Sequence, residues 1–195
     1  MPDWMIAFSS GIASTKCRGK PETGLYRPGS PDKQRGEIMR NRASNRLIKD
    51  GLAAMIVALL AGFVLIFSMI GAISLSPLPI FIHFDVPGTP QGWRIVHLGA
   101  MLNGLMAVLL GVAMRWVTVT DRGAAIVSWG TIVAIWANIG FYVFGMFAPN
   151  HGVTLQANRL GEANLAGVVA FVPAFVGAIT LLVALVVLLR AKPVE

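Results

Sequence analysis

The chain has 195 residues, of which 55% are apolar and 13% charged, with a formal net charge of +7. So little charge on so apolar a chain points to lipid as the solvent and leaves no room for a separate soluble catalytic domain. Ten of the sixteen Lys and Arg fall between Lys16 and Lys49, ahead of the first long apolar run, so they read as a basic tail and not as a nucleic-acid surface.

Residues 1–44 are rich in Gly, Pro, Ser and alternating charge and have no sustained apolar period, the composition of a disordered or surface-bound tail. The apolar patch from Trp4 to Phe8 is too short for a span or a signal peptide. Met39 precedes RNRASNRLIKDG, a basic flank of the kind that opens bacterial inner-membrane proteins, and is expected as an alternative start ahead of a membrane domain at 45–195. Cys17 is the only cysteine, which excludes an intrachain disulfide and a thiolate metal cluster.

Four apolar runs follow, at about 51–75, 95–117, 123–147 and 165–189, each near the ~20 residues a helix needs to cross the hydrocarbon. Lipid offers the backbone no hydrogen-bond partners, so the expected fold is an all-α membrane bundle of four helices. The tail, the second turn (Arg115, Arg122) and the C-terminal end (Arg190, Lys192) hold fourteen of the Lys and Arg. The first and third loops hold only Arg94 and Arg159, which predicts that both termini face the cytoplasm.

Polar groups inside spans are costly, and each is a functional candidate until a bland role absorbs it. His97 opens the second span and reads either as an interfacial histidine bonded to a backbone carbonyl or as an axial ligand to haem iron. A zinc site has less support, because His83 and His151 fall in loops. Asn103 lies six residues beyond His97, about 120° around the helix, so the two serve different faces. In the third span, Thr131, Ala134, Asn138 and Tyr142 recur at spacings of three and four and form one stripe. That stripe is either the wall of a polar pocket or a set of interhelical hydrogen bonds. Trp129 and Trp136 read as packing or belt residues, and Asp85 and Glu162 as solvated turn residues. Nucleotide-binding and hydrolase motifs are absent.

The segments FDVPGTPQGWRIVHLGAMLNG and WANIGFYVFGMFAPNHGVTLQANRLG resemble the styrene oxide isomerase family over about residues 49–190. That resemblance implies a homotrimer of four-span protomers with haem b between subunits, acting on an apolar aryl epoxide that reaches it through membrane lipid. It places the haem-ligating histidine at His97, the pocket asparagine at Asn103 and the pocket tyrosine at Tyr142. The implied chemistry is ring opening assisted by ferric haem as a Lewis acid, then a 1,2-hydride shift to an aldehyde. Family members carry an aspartate two residues before the Trp of the third helix, where this chain has Ala134. An alternative of another class is a non-catalytic haem-binding or sensory membrane protein that kept the ligand and lost the activity with the acid. A small structural membrane protein without cofactor is a third.

Overall fold

The computed structural model describes residues 31–194. Four helices make up most of it: α1 (Pro31–Ile70), α2 (Pro90–Ala113), α3 (Asp121–Gly145) and α4 (Leu165–Leu189). All four are long and apolar enough to cross a membrane. Two short antiparallel ladders were not foreseen in the sequence. They are β1 (Ala72–Ser74) with β2 (Phe81–His83), and β3 (Val117–Thr118) with β4 (Lys192–Pro193).

Helix α1 begins at Pro31, ahead of the boundary expected at residue 44, so the last part of the basic segment is helical. The reason is docking against the end of α2. Ser44, wholly buried, donates through Oγ to the Gly111 carbonyl over 2.7 Å and accepts from Arg115 Nε over 3.0 Å. Arg40 donates to the Val117 carbonyl over 3.3 Å, and Leu47 is wholly buried below. The expectations for residues 1–30, including the Trp4–Phe8 patch, lie outside the described residues.

The other boundaries follow local chemistry. At Gly71, φ is +62°, a left-handed conformation that suits glycine, and the chain leaves α1 there for the β1–β2 hairpin instead of running helical to Leu75. Helix α2 starts at Pro90, because Thr89 caps it by accepting from Gly92 N–H over 3.0 Å and proline is well placed in a first turn. That start brings Trp93 and Arg94 into the helix. Thr120 and Asn164 cap α3 and α4 in the same way.

Packing departs from the pattern of a soluble protein: small residues dominate the inside and most large apolar ones face outward, with Leu47, Met114 and Ile135 among the exceptions. Gly51, Ala54 and Ala58 of α1 meet Ala100, Gly104, Ala107 and Gly111 of α2 along one seam. A Cβ on Gly104 would come within 2.7 Å of the Gly51 carbonyl oxygen, so this approach requires glycine. Helix α3 touches all three of the others, and α4 packs mainly on α3. Gly130 and Gly177 line that second seam, tied by Thr180 Oγ1 donating to the Gly130 carbonyl over 3.0 Å.

Candidate functional site

The two sides of α2 carry different chemistry. His97, half-buried, lies over Gly62 of α1, where an added Cβ would meet its ring at 3.0 Å. Its Nδ1 is 2.7 Å from the Ala58 carbonyl oxygen, so in the neutral ring Nδ1–H donates and Nε2 keeps its lone pair. The bond to a backbone carbonyl is the one expected of an interfacial histidine. It also fixes the tautomer and ring orientation that a metal-ligating imidazole needs. Leu59, Phe63 and Leu98 nearby are all exposed, which gives an apolar surround. An imidazole with a free Nε2 in an apolar surround is a donor of the kind that haem iron takes. Among the described residues no group of three or more His, Cys, Asp or Glu side chains could hold a metal ion.

On the other side, Asn103 points to α3. Its Nδ2 donates to the Gly99 carbonyl over 2.8 Å and to the Tyr142 hydroxyl over 3.2 Å, while its Oδ1 accepts from Asn138 Nδ2 over 3.0 Å. The Tyr142 ring lies directly against Gly99, and any side chain there would overlap it. Because the phenol oxygen accepts from Asn103, its O–H remains free to donate.

Beside this ring opens a cavity of about 210 Å³ between the start of α2 and the end of α3. Its walls are mostly apolar, with Ile95, Phe141 and Met146, and its polar groups include Tyr142, Gln91 and His151. This is room for a small molecule, below the ~300 Å³ at which sites for drug-sized ligands begin.

Of the stripe on α3, Tyr142 lines the cavity and Asn138 is joined to it through Asn103. Thr131 and Ala134 lie deeper, wholly buried, and are not among the cavity's lining residues. Gly177 of α4 approaches the Ala134 backbone, and Thr131 Oγ1 is buried without a hydrogen-bond partner. His83 is exposed on β2.

His151 is the residue that sequence reasoning set aside. It takes φ +54° in a turn built on wholly buried Asn150, which donates to the Thr154 and Gln156 carbonyls and accepts from Gly152 N–H. The His151 carbonyl backs onto Gly145, where a Cβ would come within 3.1 Å of it. The signal available in the sequence was the turn chemistry of PNHG, which marks a bend and says nothing of what the bend faces.

Residues 43–192 match the family described as styrene oxide isomerase. The chain is 29% identical over 150 residues to the styrene-oxide isomerase of Pseudomonas fluorescens, covering 77% of this chain and 88% of that protein. It belongs to the styrene oxide isomerase family.

Proposed function

We propose that the protein is a membrane isomerase that converts aryl epoxides such as styrene oxide to the corresponding aldehydes, here phenylacetaldehyde. The observation that carries the reading is the oriented Tyr142–Asn103 pair at the edge of an apolar cavity, in a chain of this family.

To the ring oxygen of an epoxide in this cavity we assign the Tyr142 O–H, whose donor is free because Asn103 occupies an oxygen lone pair. As the benzylic C–O bond breaks, its electron pair goes to oxygen and positive charge appears beside the aryl ring. Tyr142 stabilises the growing negative charge on oxygen, and Asn103 holds the phenol in place. A hydrogen then migrates with its electron pair from the adjacent carbon to the benzylic carbon, and the oxygen closes to a carbonyl. No atom is gained or lost. Ile95, Phe141 and Met146 keep water from the cation, which would otherwise be captured as a diol.

His97 would hold ferric haem b through Nε2, and the haem when bound supplies Lewis acidity toward an oxygen lone pair. His97 and Tyr142 sit on opposite sides of α2, so a haem on one protomer would reach the Tyr142 cavity of another. Such a contact would join two different patches, the head-to-tail kind that builds cyclic oligomers, and the family resemblance makes that ring a homotrimer with the haem between subunits. The basic residues near α1 and at the α2–α3 turn support a place in the bacterial inner membrane with both termini cytoplasmic.

One observation favours a second reading, a haem-binding or sensory protein without turnover. Ala134 stands where the family resemblance expects an acid, and the Thr131 hydroxyl one turn away is unpartnered. The test is an absorption spectrum of the detergent-purified protein, then styrene oxide added to the same sample with assay for phenylacetaldehyde. A Soret band with aldehyde formation supports the isomerase. A Soret band without aldehyde from styrene oxide or a panel of substituted aryl epoxides supports the second reading, and no Soret band from haem-replete cells removes His97 as a ligand.

A further inference from the structure

We propose that the outer face of α1 at Arg42, Arg46 and Lys49 is a binding site for the headgroup of an anionic glycerophospholipid. These residues, at spacings of four and three, line one cleft of about 420 Å³ together with Asn45 and Asp50. All three cations are exposed. Asp50, the carboxylate of the cleft, accepts from the Trp136 indole N–H over 3.1 Å, and the Arg46 guanidinium lies over the Trp129 ring at 4.7 Å from its centre. Three cations thus share one cleft with a single carboxylate already engaged, and Asp121 borders the adjoining hollow that Arg42 and Arg46 also line. A phosphodiester matches that donor set, because guanidinium forks and an ammonium take up several oxygens at once.

The same face selects a lipid over a free phosphate. Ala53, Ile56 and Leu60 continue the helical spacing of Arg42, Arg46 and Lys49 into the apolar run, and Ile56 and Leu60 are both more than half exposed. The surface is cationic at one end and apolar at the other, with two indoles of α3 at the join, where Trp side chains favour the membrane interface. Basic clefts at this level of a membrane helix recognise anionic lipid headgroups. By the ~100° that separates successive helical residues, the three cations stand about 140° to 160° around α1 from Gly62, the seat of His97. The cleft therefore lies on the side of α1 away from the His97 seat and shares no lining residue with the Tyr142 cavity.

The full chain, purified in a neutral detergent, is titrated with phosphatidylglycerol whose acyl chains carry bromine, which quenches nearby indole fluorescence. Phosphatidylcholine with the same chains and inorganic phosphate are run in parallel. Saturable quenching by phosphatidylglycerol at concentrations about 10-fold below those needed for phosphatidylcholine is expected. The variant Arg42→Gln/Lys49→Gln changes two exposed side chains and leaves Arg46 on Trp129, and it should weaken phosphatidylglycerol about 10-fold or more. Arg159→Gln/Lys192→Gln removes the same charge elsewhere and should leave the affinity unchanged. Equal quenching by the two lipids, or unchanged affinity in Arg42→Gln/Lys49→Gln, overturns the proposal. So does displacement of phosphatidylglycerol by inorganic phosphate at matching concentration, which would make this a site for free phosphate.

Discussion

Asn103 donates to the Tyr142 hydroxyl oxygen over 3.2 Å, and the same amide is tied on its other side to Asn138 over 3.0 Å. With Nδ2 shared between Gly99 and Tyr142 and Oδ1 taken by Asn138, the amide has one orientation that satisfies all its partners. The phenol is held by its oxygen while its proton stays free. A tyrosine placed to stabilise an oxygen that gains charge, without giving up its own proton, needs that arrangement.

Tyr142→Phe removes the donor and keeps the ring on Gly99. Aldehyde formation should fall by about 10²- to 10³-fold, the usual effect of deleting one donor to a developing oxyanion, with little change in substrate affinity. The haem content should be kept, since His97 and its bond to the Ala58 carbonyl are untouched. Full turnover in this variant would take Tyr142 out of the mechanism.

Gly99→Ala tests the seat of the ring. A methyl group there overlaps the Tyr142 ring, so either the ring or α2 must move. Overpacking of this kind costs about 1–3 kcal/mol, and a displaced phenol loses its Asn103 bond. Turnover should drop by at least 10-fold while haem is kept, read by kinetics and by the spectrum of the same preparation.

Gly62→Val acts from the other face. A Cβ on Gly62 would come within 3.0 Å of the His97 ring, and the valine methyls reach further, so the imidazole must swing off the Ala58 carbonyl. Haem retention should fall about 10-fold, the lower range of the effect of losing a ligand's supporting bond. His97→Ala should abolish it. A Gly62→Val protein with a full Soret band would show that haem is held elsewhere.

Ser44→Ala probes the docking of α1 that the sequence did not foretell. The hydroxyl is buried, donates to Gly111 and accepts from Arg115, so its removal strips the Gly111 carbonyl of its donor, while the exposed Arg115 keeps its bond to Asn45. The expected loss is about 1–3 kcal/mol of stability, measured by thermal unfolding in detergent, with haem content unaffected at low temperature.

The spans were legible because hydrophobic length in a membrane chain leaves few readings, and α4 falls on the residues expected for it. The divergence of His97 and Asn103 to different neighbours was also readable, from six residues of helical rotation alone. What escaped depends on contacts between distant segments. Nothing in DKQRGEIMRNRA announces a helix until Ser44 meets Gly111, 67 residues away. Spacing leaves the stripe on α3 open between a pocket wall and interhelical hydrogen bonds, and an α-helix face is broad enough for Tyr142 to meet α2 while Gly177 of α4 packs against the backbone at Ala134. His151 was discounted as a loop residue because no periodicity links a turn to the cavity it borders.

His151 makes the last prediction. Its φ of +54° is a conformation that glycine adopts freely and that a β-branched residue resists. His151→Gly should therefore keep the turn and its Asn150 anchor while removing a side chain from the cavity wall. The larger space should raise kcat/KM for bulky ring-substituted styrene oxides relative to styrene oxide, by roughly 10-fold, the lower end of what one pocket group contributes to discrimination. His151→Val strains the same turn, and by loosening the loop at Gly145 should lower turnover for every epoxide without that change in preference. If Gly and Val behave alike, the imidazole does not shape the cavity, and its place there is incidental to the fold of the loop.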